Sequence, residues 1–459
     1  MKNFKSMDKE KIIKSFSGLT GHTGLFCENL ITGESFGYNA DDRFAPASVI
    51  KLPLFLCIAK WAAEGKADYS EKIRVKNEDK VPGSGALSLF TDEPTPDIRT
   101  LCHLMLSLSD NTAANVLIDR FGIPAFAGEF RTIGLKGTVL CRKFYDTSPA
   151  EDGQKNTVVL SEIGALLKKV YERSFVNAET SEDIEKVLLH QHSNHKLPGR
   201  ITDPLIPIAH KTGESLGVSL DVGIVYAVQP FVLCCAGNKT DVPELDELIR
   251  KTAHEIFCAW NTLPSPSAFT DTGAVRRLVN RQHPLPEDYV PELLPLADGE
   301  RIDRRCRPYL LALLEDCRAA GGRPLVTSAY RSAEEERSYW EQTVERMMTV
   351  MGVERRLAAG VAAACASPPG TGEHPLGLAA DIFCEAGEDA GFTVRWLSQN
   401  AQRYGFIRRY PEGKEEITGI RFESWHYRFV GTEAAEEIYR RGLTLEEYLY
   451  NAECIMQNA

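Results

Sequence analysis

Between residues 44 and 63 the chain reads FAPASVIKLPLFLCIAKWAA, an apolar run that predicts a buried helix, yet Ser48 and Lys51 stand in its first turn. Upstream, TGLFCENLITGESFGYNA alternates apolar and polar positions on either side of a turn at Thr32-Gly33 and predicts a hairpin. Farther on, PIAHKTGESLGVSLDVGIVYAV and PFVLCCAGN predict antiparallel strands, and ELDELIRKTAHEIFCAWN an amphipathic helix that closes the pattern. The order strands, helices, strands, helix implies an α+β domain over 1–260 whose terminal segments share one sheet. Residues 261–274 are rich in Pro, Ser and Thr and lack periodicity, which reads as a linker. A second, smaller α+β domain follows over 275–459, with helices expected near 304–319 and 333–363. Ser332 and Glu335 form a capping box that starts the longer one. No internal repeat is present.

A length of 459 residues exceeds one ordinary core, in keeping with two domains. The hydrophobic share of 43% and charged share of 25% leave no compositional sign of disorder. A formal net charge of -11 argues against nucleic acid or an anionic membrane as partner and leaves small polar substrates open. No apolar stretch is long enough to insert in a membrane, and the first residues lack the apolar core of a secretory signal. The 12 cysteines lack the paired spacing of a zinc knuckle and read as reduced, buried small side chains. A cytoplasmic location is therefore expected. Oligomeric state stays open.

On a helix, positions i and i+3 share a face, so the Lys51 amine can reach the Ser48 hydroxyl. A serine needs a base to take its proton, and a lysine desolvated among apolar neighbours can be neutral enough to serve. Alone, Ser-x-x-Lys fits equally a helix serine beside a snorkelling lysine. Two further stretches change the weight: SLSDNTAANVLID supplies Ser109-Asp110-Asn111 at a helix start, and AHKTGES supplies Lys211-Thr212-Gly213 at a strand start.

The three motifs, in that order, resemble those of penicillin-recognising serine enzymes, and residues 18–260 resemble a class A β-lactamase domain. VPGSGALS, at 81–88, adds to the likeness. The resemblance implies that Ser48 is the acylated nucleophile and Lys51 its activating amine. It further implies that Ser109 relays a proton to the leaving nitrogen and that Asn111 binds the substrate amide. Lys211 and Thr212 would hold the substrate carboxylate while the strand after Gly213 pairs with its backbone, the Ser48 N–H and one from that strand forming the oxyanion hole.

One departure matters. Class A β-lactamases deacylate with a glutamate in a Glu-x-x-Leu-Asn loop, and the corresponding region here, CRKFYDTSPAEDGQKNTVV, lacks that pattern. Asp146, Glu151 and Asp152 are its acidic residues and read as solvated loop charges. Slow deacylation is expected, nearer a peptidase, esterase or penicillin-binding module than a fast β-lactamase. The run HQHSNHK, at 190–196, offers three histidines but no neighbouring acid, and reads as a polar surface turn rather than a metal site.

The second domain carries TSAYRS (327–332), GEHPLGLAADI (372–382) and FESWHYRF (422–429). His374, Asp381 and His426 make a donor set of one carboxylate and two imidazoles that suits zinc with an open position for water, and Glu423 can act as a base off the metal. Each histidine alone fits a packed or surface residue as well. Together with LVNRQHPLPEDYVPE these segments resemble the VanY-like zinc D-Ala-D-Ala carboxypeptidases over about 275–450. That resemblance implies one zinc ion held by His374, Asp381 and His426, water activation by Glu423, and a substrate-binding role for Arg331. Trp425 reads as packing beside them. Gly372 stands where the family more often has serine, which alters a hydrogen bond behind the ligands.

Both halves thus point to peptides ending in D-alanine, and the first also to β-lactams. The favoured reading is a bifunctional hydrolase. A β-lactamase fused to a carboxypeptidase that gives antibiotic resistance, or a covalent β-lactam sensor with a supporting peptidase domain, are the alternatives.

Overall fold

The alternation at 23–40 closes as a hairpin of β1 (His22–Asn29) and β2 (Ser35–Tyr38), with Gly33 at φ +72° in the turn. The strands expected near the end of the first half follow as β3 (Ile208–Ser215), β4 (Val218–Val225) and β5 (Phe231–Asn238). All pair antiparallel in the order β2-β1-β5-β4-β3, so early and late segments share one sheet and β3 lies at its edge. Seven of the eight residues of β4 are buried, which is why it reads as a continuous apolar run.

The helices of this half are α1 (Lys9–Ser17), α2 (Lys51–Ala63), α3 (Ile98–Ser107), α4 (Asn111–Phe121), α5 (Ile123–Thr132), α6 (Leu160–Tyr171), α7 (Ala178–Leu189) and α8 (Val242–Trp260). Thr23 of β1 donates its hydroxyl to the Phe16 carbonyl of α1, and Gly237 of β5, paired with Thr23, lies against Leu245 of α8. Those two helices therefore cover one face of the sheet. Gly164 of α6 fits against the Phe26 ring on the other face, where a β-carbon would meet the ring at 2.4 Å.

The computed structural model describes residues 7–146, 155–202, 206–261, 275–296, 299–384 and 390–450. Two compact units divide it, Met1–Asn261 and Thr262–Ala459. Of the linker read at 261–274, all but Asn261 lies outside the described residues.

The second unit holds a four-stranded antiparallel sheet, β6 (Pro324–Ser328), β7 (Ala379–Cys384), β8 (Phe406–Arg408) and β9 (His426–Phe429), in the order β6-β7-β9-β8. Its register sets Asp381 of β7 directly opposite His426 of β9. Helix α9 (Arg307–Ala319) occupies the first predicted segment. The second, read as one helix over 333–363, is two: α10 (Ala333–Met351) and α11 (Arg355–Ala362). Gly352 takes the left-handed conformation at φ +65° and ends α10, a C-terminal cap that the apolar periodicity concealed. Val344, Ala358 and Ala362 then form a small core of their own between the two. Ser332 and Glu335 make both hydrogen bonds of the capping box.

Both units are α+β. Among the described residues no helix is long and apolar enough to cross a membrane. No disulfide joins two of the described cysteines, and most of these side chains are buried.

Candidate active sites

Lys51 opens α2, whose first nine residues are all buried. A helix apolar all round belongs at the centre of a fold, so the Lys51 ammonium depends on polar groups brought from elsewhere. Its Nζ lies 3.0 Å from Ser48 Oγ, which sits in the one-turn 3₁₀ segment Ala47–Ile50 ahead of the helix. Nζ also donates to the Ser109 carbonyl at 2.7 Å and to Asn111 Oδ1 at 2.7 Å, and lies 3.3 Å from Ser109 Oγ. Burial, reinforced by the Lys211 charge and opposed by Asp110, holds this amine well below the usual lysine range. It is thereby suited to take a proton from Ser48.

Asp110, whose role the sequence reading left blank, caps α4 through the Ala113 N–H and receives the Ala86 and Leu87 N–H groups. The segment 84–87 is thus tied to Ser109 and Asn111. Ser109 itself has φ +54°, a conformation uncommon outside glycine and typical of functional positions.

Lys211 lies within β3 rather than at its start and donates to Ser109 Oγ at 3.1 Å and to the Thr212 carbonyl at 2.8 Å. Burial lowers it to about 7 against the opposing pull of Asp221. At Gly213 a β-carbon would sit 2.8 Å from the Pro46 carbonyl oxygen and 3.1 Å from Val49 N. Only glycine lets the strand edge come this close to the Ser48 turn.

Over Lys51 lies the Phe144 ring, 4.5 Å from Nζ to the ring centroid. Asn115 holds this residue by both its backbone groups, each at 2.9 Å. Among the described residues no carboxylate hydrogen-bonds to Ser48 or Lys51. Asp146 pairs instead with Arg142 at 3.8 Å, and Glu151 and Asp152 lie outside the described residues. The histidines of 190–196 do not converge: His190 Nδ1 donates to the Lys186 carbonyl, while His195 pairs with Glu214 at 2.9 Å.

In the second unit the ligand atoms of His374, Asp381 and His426 all lie within 4.8 Å of one another. Asp381 stands 3.3 Å from His374 Nε2 and 2.9 Å from His426 Nδ1, close to the roughly 3.4 Å that separates ligands of a tetrahedral ion. The two imidazoles are oriented from behind. His374 donates Nδ1–H to the Ala329 carbonyl, which leaves Nε2 as the free donor atom. His426 turns Nε2 toward Glu373 Oε2 at 3.5 Å and Nδ1 toward Asp381. These residues fit a zinc ion.

Glu373 is the group that sequence reasoning passed over. Its Oε1 accepts from Arg409 Nε and Arg428 Nη1, each at 2.8 Å, and all three side chains are fully buried. Burial would raise the Glu373 carboxyl, but the two guanidiniums outweigh it and hold it well below the usual range. Arg409 also forks onto Glu446, and Arg428 reaches back to the Val275 and Arg277 carbonyls at 3.0 and 2.9 Å. The position beside His374 is the only signal the sequence carried for Glu373; nothing local marks either arginine.

Glu423 is mostly buried, and that burial pushes its carboxyl up to about 7 against the pull of His426. His426 is lowered by burial, yet its hydrogen bond to Asp381 and the Glu373 carboxylate facing its Nε2 carry it up to about 9 in the metal-free protein. Arg331 lies over the Tyr339 ring, 4.7 Å from its centroid, and among the described residues its buried Nε has no hydrogen-bond partner. Trp425 stacks on Phe383 with centroids 5.4 Å apart. At Gly372 a β-carbon would fall 1.9 Å from Glu336 Oε1, so the α10 carboxylate fills the place of a side chain there.

A family model described as the beta-lactamase enzyme family matches residues 8–260, and one described as D-alanyl-D-alanine carboxypeptidase, VanY, matches 299–432. Over 173 residues the chain is 48% identical to a D-alanyl-D-alanine carboxypeptidase of Enterococcus faecalis, covering 38% of this chain and 64% of that protein. The chain thus spans a little under two thirds of that relative's length. Over 196 residues it is 33% identical to the bifunctional D-Ala-D-Ala dipeptidase and D-Ala-D-Ala carboxypeptidase VanXYC of Enterococcus gallinarum, covering 40% of this chain and 98% of that protein. Among solved structures, a beta-lactamase from Sphaerobacter thermophilus matches with a TM-score of 0.52 and 25% identity, covering 56% of this chain and 97% of that one.

Proposed function

Since residues 8–260 make the chain a member of the beta-lactamase enzyme family, and its C-terminal part a member of the D-alanyl-D-alanine carboxypeptidase family, we propose a two-site hydrolase of peptides ending in D-alanine. The observation that carries this reading is the convergence of His374, Asp381 and His426 donor atoms within 4.8 Å. His374, Asp381 and His426 would hold one zinc ion there, which would supply Lewis acidity to the reaction. Glu423, with its raised carboxyl, accepts a proton and returns it to the leaving D-alanine nitrogen. Arg331, stacked over Tyr339, is the guanidinium assigned to bind the substrate. The test is metal content and D-alanine release in parallel. Glu423→Ala is expected to keep one zinc per chain and lose at least about 100-fold in release; full activity in that variant removes the mechanism.

At the other site Ser48 Oγ bonds to the substrate carbonyl carbon and gives its proton to Lys51 Nζ. Ser109 Oγ passes a proton to the leaving nitrogen as the carbon–nitrogen bond breaks. The Phe144 ring over Lys51, with no carboxylate bonded to the pair among the described residues, favours an acyl-enzyme that persists. A penicillin-binding or sensing role for β-lactams is thus the second reading. Intact-mass spectrometry after adding a penicillin tests it: a lasting adduct on the native chain, absent from Ser48→Ala, supports it. Drug turnover without an adduct points instead to a β-lactamase fused to a carboxypeptidase and to a role in antibiotic resistance.

The division into 1–260, a linker at 261–274 and 275–459 belongs to the same proposal. So does a cytoplasmic location, which suits the lack of a disulfide between described cysteines.

A further inference from the structure

Strand β6 ends at Ser328, which faces Asp381 of β7 after a shift of register past Val326. Ala329, the next residue, lies beyond the ladder and is completely buried, so its N–H and its carbonyl both need partners from elsewhere in the protein. The carbonyl receives His374 Nδ1–H, the bond that leaves Nε2 free. The N–H goes to Glu300 Oε2 at 2.7 Å.

Glu300 stands just ahead of a strand, Arg301–Asp303, that pairs antiparallel with Leu293–Pro295. From this pair the Arg301 carbonyl receives the Tyr330 N–H at 2.8 Å, and the Asp303 N–H reaches the Gly377 carbonyl at 2.8 Å. Gly377, left-handed at φ +76°, closes the turn His374–Leu376. The same short stretch thus holds both the residue that receives the His374 ring N–H and the turn that carries the His374 backbone. Arg331 is fixed as well: Tyr330 before it is held by Arg301, and Ser332 after it by the capping box with Glu335. The Arg301 and Asp303 bonds run main chain to main chain, whereas Glu300 acts through a side chain that substitution can change.

We propose that Glu300 is a positioning residue of the metal-type site: it holds Ala329 so that His374 presents Nε2 to the metal and Arg331 faces the substrate, and it does so as a hydrogen-bond acceptor rather than as a charge. This rests on the zinc-peptidase reading of the second unit and adds to it a residue that acts on both His374 and Arg331 through Ala329. Glutamine supplies the same acceptor oxygen without the charge, and aspartate supplies the charge with the oxygen drawn back by one methylene. The two substitutions therefore separate the two roles.

The experiment measures zinc affinity by chelator competition, and the kinetics of D-alanine release from a peptide ending in D-alanyl-D-alanine at saturating zinc, on the full chain in native form and as Glu300→Gln, Glu300→Asp and Glu300→Ala. In Glu300→Ala the zinc dissociation constant is expected to rise about 10–100-fold, as for other groups that stand behind a metal ligand. KM is expected to rise about tenfold as Arg331 loses its aim, with kcat within about threefold of native. Glu300→Asp is expected to lose in the same direction, and Glu300→Gln to stay within about threefold of native in all three quantities, because its amide oxygen receives the same N–H. Zinc affinity and KM both within about twofold of native in Glu300→Ala overturn the role. If Glu300→Ala no longer melts cooperatively in chelator, the other two variants decide: a native-like Gln with an impaired Asp supports the proposal, and any other combination overturns it. A native chain that neither binds zinc nor releases D-alanine overturns the zinc-peptidase reading itself, a failure seen before any substitution is made.

Discussion

Glu373→Gln isolates a single charge beneath the metal-type site while preserving the shape of the side chain. In the native protein Glu373 Oε1 accepts two hydrogen bonds of 2.8 Å from Arg409 and Arg428, both fully buried, and Glu446 balances only Arg409. Among the described residues, the amide leaves Arg428 with backbone carbonyls and no hydrogen-bonded counter-ion. Removing one partner of a buried ion pair costs about 3–5 kcal/mol. For a unit of this size each kcal/mol lowers Tm by roughly 2–4 °C, so the melting of the second unit is expected to fall by about 6–20 °C. Metal affinity is expected to drop about 10–100-fold, because His426 loses the carboxylate behind its Nε2. Scanning calorimetry of the full chain reads the first effect, the transition being assigned by its response to added zinc, and competition with a chromophoric chelator reads the second. Measured in chelator, the Tm shift reports the charge balance alone. A transition within about 2 °C of native, with affinity within threefold, refutes the claim that this buried pair supports the site.

Lys51→Met removes the proton acceptor next to Ser48, and acylation by a penicillin is expected to slow about 10²–10⁴-fold in stopped-flow or mass-based kinetics; a smaller loss moves the base elsewhere. Burial first, and the Lys211 charge second, hold the Lys51 amine well below the usual lysine range, which makes its free base easier to reach than that of an exposed lysine. Acid protonates the Lys51 amine, so the native acylation rate should fall as pH is lowered, and a rate that holds or rises contradicts the assignment. Gly372→Ala drives a methyl group into Glu336 Oε1, a predicted contact of 1.9 Å, and should destabilise the second unit by about 1–3 kcal/mol in denaturant melts. Adding Glu336→Ala to that variant should recover most of the loss.

Local chemistry was legible and distant partnership was not. The turn at Thr32-Gly33 and the Ser332 capping box are each decided by a few neighbouring residues, and the structure has both. The break at Gly352 was missed because α10 and α11 keep similar apolar spacing on either side of it. Lys51 could be marked as a buried amine, but the groups that hold it, Ser109 and Asn111, stand 58 and 60 positions away and enter only through the three-motif resemblance. Glu373 shows the limit most plainly. Its partners lie 36 and 55 residues along the chain, where Arg409 and Arg428 look like ordinary charges. Phe144 read as part of a loop, since no periodicity says that a ring will cover a lysine from another helix.

The reach of Arg428 to the Val275 and Arg277 carbonyls bears on how the peptidase half can be separated as a module. The matched family region begins at residue 299, and a gene fragment cut there would discard both acceptors and leave one face of a buried guanidinium bare. The portable unit begins no later than Val275. Recombination or cloning that respects this boundary carries the metal-type site whole, whereas a cut at the edge of the recognisable family sequence does not.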